Sequence, residues 1–290
     1  MHGIESVNTI KNINWYPGHM AKTKRKIQEE LKLVDIVIEI RDARIVEASK
    51  NPEIDRICKG KPRVILLNKY DLAEDKITNQ WVEKLKQDDV EVVLTNCVKG
   101  YGMNDIKRAI DKLMKVKRER MEKKGVLNFV TRAMVVGIPN VGKSSFINRM
   151  ANSKRAKTGD RPGVTRSNQW IKTTLGIELL DTPGVLWPRF KDEMVGQNLA
   201  FTGAIKDEIL NIEDLAYKLL ERIIVDYPEC LKARYNLDSI SEDPLETMED
   251  IAKKRGCLLK KNEINYNRVS VILLDEFRGG KIGKISIEKP

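Results

Sequence analysis

The chain has 290 residues, 41% of them apolar, enough to bury a substantial core and too many for a globally disordered polymer. Its formal charge of +11 points to a polyanionic partner, either a nucleic acid or an anionic surface. Four cysteines and two histidines stand at spacings unlike a zinc knuckle or a redox pair, and no apolar run reaches the roughly 18 residues a bilayer requires.

In chain order, the first residues lack a basic stretch followed by an apolar one, so no secretory leader is expected; the cysteines are expected to be reduced thiols and the protein cytoplasmic. Short aliphatic, β-branched runs at 34–40, 63–67, 90–94, 133–137 and 177–180 predict buried strands of a mostly parallel sheet. Helical periodicity at about 78–87, 106–123 and 144–150 alternates with them, which predicts an α/β fold. From about 197 to 262 the pattern is helical, with Leu210, Ile212, Leu215, Leu219, Leu220 and Ile223 near i, i+3, i+4 spacing. A last helix is expected at about 265–277, then a Gly-rich turn and a short alternating segment. The expected division is an α/β domain with its N-terminal segment over 1–190 and a smaller, mainly α-helical domain over 191–290. Basic residues cluster at Lys22, Lys24, Arg25 and Lys26, along 115–124, and at Lys253, Lys254 and Arg255. Any one cluster is usually a solvated helix face; together they favour contact with RNA or DNA.

The motifs are specific. Gly137-Ile138-Pro139-Asn140-Val141-Gly142-Lys143-Ser144 follows a predicted strand and opens a predicted helix, the context of a phosphate-binding loop. Backbone N–H groups there face phosphates, Lys143 reaches the β- and γ-phosphates, and the Ser144 hydroxyl meets Mg²⁺. Asp181-Thr182-Pro183-Gly184 ends a later strand. Asp181 can hold Mg²⁺ through water, and the Gly184 N–H can contact a γ-phosphate. Between them, Thr165 of Arg161-Pro162-Gly163-Val164-Thr165 can close over the metal, with Thr158 as the alternative. Asn68-Lys69-Tyr70-Asp71 reads NKxD; Asp71 can accept from N1–H and N2–H₂ of guanine, donors that adenine lacks. Asn96 and Cys97 end the next strand, where a backbone N–H can meet guanine O6. The expected nucleotide set is therefore Asn68, Lys69, Asp71, Asn96, Cys97, Asn140, Val141, Gly142, Lys143, Ser144, Ser145, Thr165, Asp181 and Gly184. Ser144, Thr165 and Asp181 form the Mg²⁺ set.

The order is rotated. Common G domains run from the phosphate loop to NKxD, whereas here Asp71 precedes Gly137. A fold tolerates such permutation when its old ends lie close together. Many GTPases carry a glutamine after the DxxG glycine to orient the attacking water. Here that residue is Val185, which cannot hold water.

These motifs, with Asn14-Trp15-Tyr16-Pro17-Gly18-His19-Met20-Ala21-Lys22, Asp42-Ala43-Arg44 and Asp181-Thr182-Pro183-Gly184-Val185-Leu186-Trp187-Pro188, closely resemble the circularly permuted family called ribosome biogenesis GTPase A. The resemblance spans essentially the whole chain. It implies a cytoplasmic, GTP/GDP-binding hydrolase with no membrane insertion, expected here as a monomer. Its partners would be the large ribosomal subunit and its ribosomal RNA, with hydrolysis stimulated by that subunit. It makes His19 the candidate water-positioning residue, beside Lys143 and Gly184 in the catalytic set, although a helix-start histidine can also be purely structural. Asn140 resembles the asparagine that helps bind K⁺ in potassium-stimulated relatives; loop capping is its alternative role. Cys97 departs from the usual Ala or Ser, but is small enough to keep the backbone contact.

Overall fold

The computed structural model describes residues 25–126, 128–151, 170–182 and 192–290. The described chain divides into two compact units: one holds the residues up to 182 together with the last three, 288–290; the other holds 192–287.

The first unit is built on a six-stranded sheet. Its strands are β1 (Ile36–Asp42), β2 (Arg63–Asn68), β3 (Val90–Thr95), β4 (Arg132–Val136), β5 (Trp170–Lys172) and β6 (Glu178–Asp181). The spatial order is β3-β2-β1-β4-β6-β5, parallel throughout except for β5, which pairs antiparallel with β6 at one edge. All seven residues of β1 are buried, as a central parallel strand covered on both faces must be. One face packs Val37, Met134, Val136 and Leu180 against Ile27, Val34 and Ile54; the other packs Ile65 and Leu67 against Ala43, Ile77 and Trp81.

The helices of this unit include α1 (Pro52–Ile57), α2 (Asp75–Leu85), α3 (Met103–Lys123) and α4 (Lys143–Met150), and the described residues 25–31 are helical as well. Asn51 starts α1 by accepting from the Glu53 and Ile54 amides, with Pro52 in the first turn where no N–H is missed. β1 turns outward to β2 and β3, while β4 turns the other way to β6. The carboxyl ends of β1 and β4 therefore meet at a topological switch point, where open α/β sheets bind ligands. Glu39 and Arg41, on one face of β1, are both buried: Glu39 accepts from Arg41 Nε at 2.8 Å and from Arg63 Nη1 at 2.9 Å. Burial opposes the charge on Glu39, but the two arginines outweigh it and hold the carboxyl below its ordinary range.

The second unit is helical, with α5 (Glu193–Phe201), α6 (Ile212–Asp226), α7 (Pro228–Tyr235), α8 (Pro244–Arg255) and α9 (Tyr266–Arg278). The predicted stripe is its seam: Leu215, Leu219, Leu220 and Ile223 of α6 are buried, and α6 packs chiefly on α9 and α8. Leu210 and Ile212 stay outside the buried set of that helix. Asp243 and Pro244 begin α8, and Gly256, left-handed at φ 63, ends it. Arg278 ties the end of α9 back to α5, donating to the Phe201 and Ala200 carbonyls at 3.1 and 2.9 Å.

Sequence and structure differ in particulars. β5 and α1 were not expected, because three residues and six residues are too short to show a period. β1 runs on to Asp42, past the last aliphatic residue, since Arg41 and Asp42 are buried by pairing. α2 starts three residues earlier than its apolar pattern. Leu258, near the end of the stretch read as helical over about 197–262, forms an isolated bridge with Ile264, which lies between that stretch and the last predicted helix. No described helix is long and apolar enough to cross a membrane.

Candidate functional site

The loop after β4 is shaped by two glycines that nothing else can replace. Gly137 sits at φ 155, and a Cβ there would lie 2.7 Å from the Ile40 carbonyl oxygen. Gly142 sits at φ 105, and a Cβ there would collide with the side-chain amide of Asn68. Asn140 is left-handed at φ 60. The chain then enters α4 at Lys143, which is only 9% exposed; its Nζ donates across the loop to the Ile138 carbonyl at 3.0 Å. This is a loop wrapped round an ammonium group at a helix N-terminus, which favours bound phosphates. Ser144 is exposed and Ser145 half-buried at the start of that helix.

Beside it, β6 carries Asp181, paired in register with Val135 of β4. The buried Thr182 hydroxyl donates to the Val135 carbonyl at 2.6 Å and pins the strand end. Desolvation raises the proton affinity of Asp181, and the charge of Lys143 opposes the rise. The carboxylate and the ammonium thus share one electrostatic neighbourhood.

The base-reading loops are joined to the phosphate loop by one side chain. Asn68 donates from Nδ2 to the Val141 carbonyl at 2.7 Å and accepts at Oδ1 from the Cys97 amide at 3.0 Å. Lys69 follows in the left-handed region at φ 59, and Tyr70–Leu72 form one short helical turn that presents Asp71. Asp71 Oδ2 accepts from Lys99 Nζ at 2.9 Å, while Oδ1 is buried and has no hydrogen-bond partner. Asn96, 8% exposed, accepts from the Lys99 amide at 2.8 Å. Cys97 is 1% exposed, and burial pushes its thiol up to about 11, so it is an inert wall. Tyr70 and Tyr101 stack at 4.4 Å and bind the two base loops together. Arg149 of α4 donates to the Cys97 carbonyl at 3.3 Å and also meets the Val98 carbonyl.

The structure therefore brings together Asn68, Lys69, Asp71, Asn96, Cys97, Asn140, Val141, Gly142, Lys143, Ser144, Ser145 and Asp181 at one rim of the sheet. Three expected residues, His19, Thr165 and Gly184, lie outside the described residues, as does Val185. Sequence reasoning missed Lys99 as the partner of Asp71 and Arg149 as the brace of the Cys97 loop. Their contacts span 28 and 52 residues and follow no short-range pattern.

A phosphate cradle joined through Asn68 to a guanine-type carboxylate loop, in rotated chain order, defines a circularly permuted P-loop GTPase. The family model described as "50S ribosome-binding GTPase" matches residues 132–259. The chain is 50% identical to ribosome biogenesis GTPase A of Bacillus cereus over 96% of its own length and 94% of the relative's. It belongs to the ribosome biogenesis GTPase A family. A counterpart in Thermotoga maritima is 33% identical, covering 96% of this chain and 95% of its own. The crystal structure of GNP-bound YlqF from T. maritima superposes with a TM-score of 0.62 at 28% identity, over 93% of this chain and 98% of that one. The protein binds guanine nucleotide and hydrolyses GTP.

Proposed function

We propose that this GTPase acts in late assembly of the large ribosomal subunit, binding ribosomal RNA in its GTP form and releasing it after hydrolysis stimulated by the subunit. The observation that carries the nucleotide reading is Asp71 Oδ1, a buried acceptor without a hydrogen-bond partner beside the paired Asn68 and Asn96 side chains. Guanine offers N1–H and N2–H₂ where such an acceptor needs donors. A backbone N–H of the Asn96-Cys97 loop would meet O6, the Cys97 amide doing so by sharing the bond that it gives to Asn68 Oδ1.

Lys143 and the loop amides neutralise the β/γ-phosphates. Hydroxyl, carboxylate and phosphate oxygens are hard donors suited to Mg²⁺, so Ser144, Thr165 and Asp181 would hold it, Asp181 through water. When bound, the metal draws charge from the phosphate oxygens as the bond breaks. Gly184 would contact the γ-phosphate. His19 would orient the attacking water in place of the absent glutamine, and Asn140 would share a K⁺ with the phosphates. The exposed Lys107, Lys115, Arg120, Lys123 and Lys124 of the α3 region, with Lys254 of α8, supply charge for RNA phosphates. The names of the relatives support a ribosome-directed role; with it goes a cytoplasmic place of action, and nothing in the reading requires more than one copy of the chain.

The test is Asp71→Asn. It inverts the donor–acceptor pattern, so GTP affinity should fall and xanthosine triphosphate affinity should rise, each by roughly 10-fold or more. Unchanged GTP binding in that variant would remove Asp71 from the base site.

A further inference from the structure

The Asp42-Ala43-Arg44 motif meets the base-reading NKxD segment at two residues, through the backbone at Asn68 and through a side-chain ion pair at Lys69. Asp42 ends β1 in register with Asn68 of β2, and the Ala43 amide donates to the Asn68 carbonyl at 2.9 Å. Its carboxylate is 1% exposed. Oδ1 accepts from the Arg44 amide at 3.1 Å and from Arg44 Nε at 2.9 Å; Oδ2 accepts from Arg44 Nη2 at 2.9 Å and pairs with Lys69 Nζ at 2.9 Å. Arg44 is 1% exposed and could not be buried as a charge without this bidentate partner. Ser49 Oγ accepts from the Asp42 amide at 3.1 Å. The turn carrying Arg44 is closed from the far side by Glu288, whose amide donates to the Arg44 carbonyl at 3.2 Å and whose carboxylate accepts from the Glu47 and Ala48 amides.

Lys69 is the left-handed residue between Asn68 and the turn that presents Asp71. A lysine at positive φ is uncommon and persists only where its surroundings over-determine it. Here the constraint is electrostatic. Two cations converge on one buried carboxylate: Arg44 is locked in the core, and Lys69, its side chain 26% exposed, is held from the surface. We propose that Asp42, with Arg44 behind it, is the positioning residue of the guanine-reading loop, fixing Lys69 and hence the aim of Asp71. Burial alone would make Asp42 a weak acid; Arg44 and Lys69 overcome it and hold the group far below the ordinary carboxylate range, so the tether is charged at every working pH.

The proposal rests on the reading of Asp71 as the base-reading residue, and the experiment separates the two. GDP and inosine diphosphate, which lacks the 2-amino group, are titrated into wild type, Asp42→Asn, Lys69→Met and the double variant, with Asp71→Asn and xanthosine diphosphate in parallel. Asp42→Asn should weaken GDP and GTP by the same factor, roughly 10-fold, because the γ-phosphate is not involved. The preference for GDP over inosine diphosphate should shrink several-fold, since a loosened Asp71 loses its second bond. Lys69→Met removes the same tether without placing an unpaired charge in the core, and the double variant should lose no more than the worse single one. A motif that only staples β1 to β2 would lower the unfolding temperature while leaving the guanine-to-inosine ratio intact; that result, or additive losses, overturns the proposal. If Asp71→Asn does not gain xanthosine nucleotide, the base-site reading itself has failed.

Discussion

At Asp71 the two oxygens of one carboxylate have different fates, one paired with Lys99 and one buried without a partner. Affinity and chemistry should accordingly separate at single residues. Lys143→Ala removes a buried ammonium held inside the phosphate loop, so GTP binding should weaken and turnover should vanish. His19→Ala should leave GTP binding intact but lower subunit-stimulated turnover by roughly 100-fold if it orients water. Equilibrium nucleotide titration beside single-turnover phosphate release distinguishes them; wild-type turnover in His19→Ala would return that histidine to a structural role. Much of this site was legible as sequence. Phosphate loops and NKxD are contiguous, and the positive φ of Gly137 and Gly142 is a local demand, although the atoms that a Cβ would meet there belong to Ile40 and Asn68, far away in the chain. What was not legible is long-range pairing: Lys99 with Asp71 and Arg149 with Cys97 depend on which strands lie side by side.

Among the elements, α9 carries the clearest single dependency in the helical unit. Glu276 is 8% exposed and accepts from both Arg234 of α7 and Arg255 of α8. The hydrogen bonds from Arg234 hold its carboxyl below the usual range, against the effect of burial. A group depressed in the folded state contributes stability that is fully present above its unfolded pKa, about 4.3, and is lost as pH falls below that value. Glu276→Gln should cost about 1–3 kcal/mol at neutral pH, the lower part of the range being favoured because both arginines are about one-third exposed. Urea unfolding at pH 7 and pH 3 measures this: the difference between wild type and variant should shrink at the lower pH. A difference independent of pH would mean packing, not charge, is at stake. At this scale β2 and β4 were readable because burial on both faces makes a nearly unbroken apolar run, and β1 because only the ion-paired Glu39 interrupts its aliphatic residues from Ile36 to Ile40. β5 was not, since its three residues are half exposed and owe their conformation to β6. α1 was missed too, although Asn51-Pro52 is a start signal, because six residues carry no period.

For the whole molecule, linkage sets the terms. If a subunit precursor prefers the GTP form, it must raise the affinity for GTP over GDP by the same factor, on the order of 5–150-fold. Subunit binding measured with GDP and with a non-hydrolysable GTP analogue, then turnover with and without subunits, checks this. Equal affinities and no acceleration would leave a nucleotide-binding protein without a switch. The rotated order also has a consequence for how the chain is made. β4 is the middle of the sheet, yet it follows β1 in synthesis after the whole β2–β3 half has emerged. Between Asp42 and Arg132 lie about 90 residues, roughly 5–20 s of translation. Throughout that interval one flank of β1, a strand buried along its full length in the finished protein, has no neighbour to bond with. Nascent chains stalled just before β4 should therefore be cut readily by protease and engaged by chaperones, and chains stalled after β6 should not. A ribosome-assembly factor of this design spends the most vulnerable seconds of its own folding at the exit of a finished ribosome.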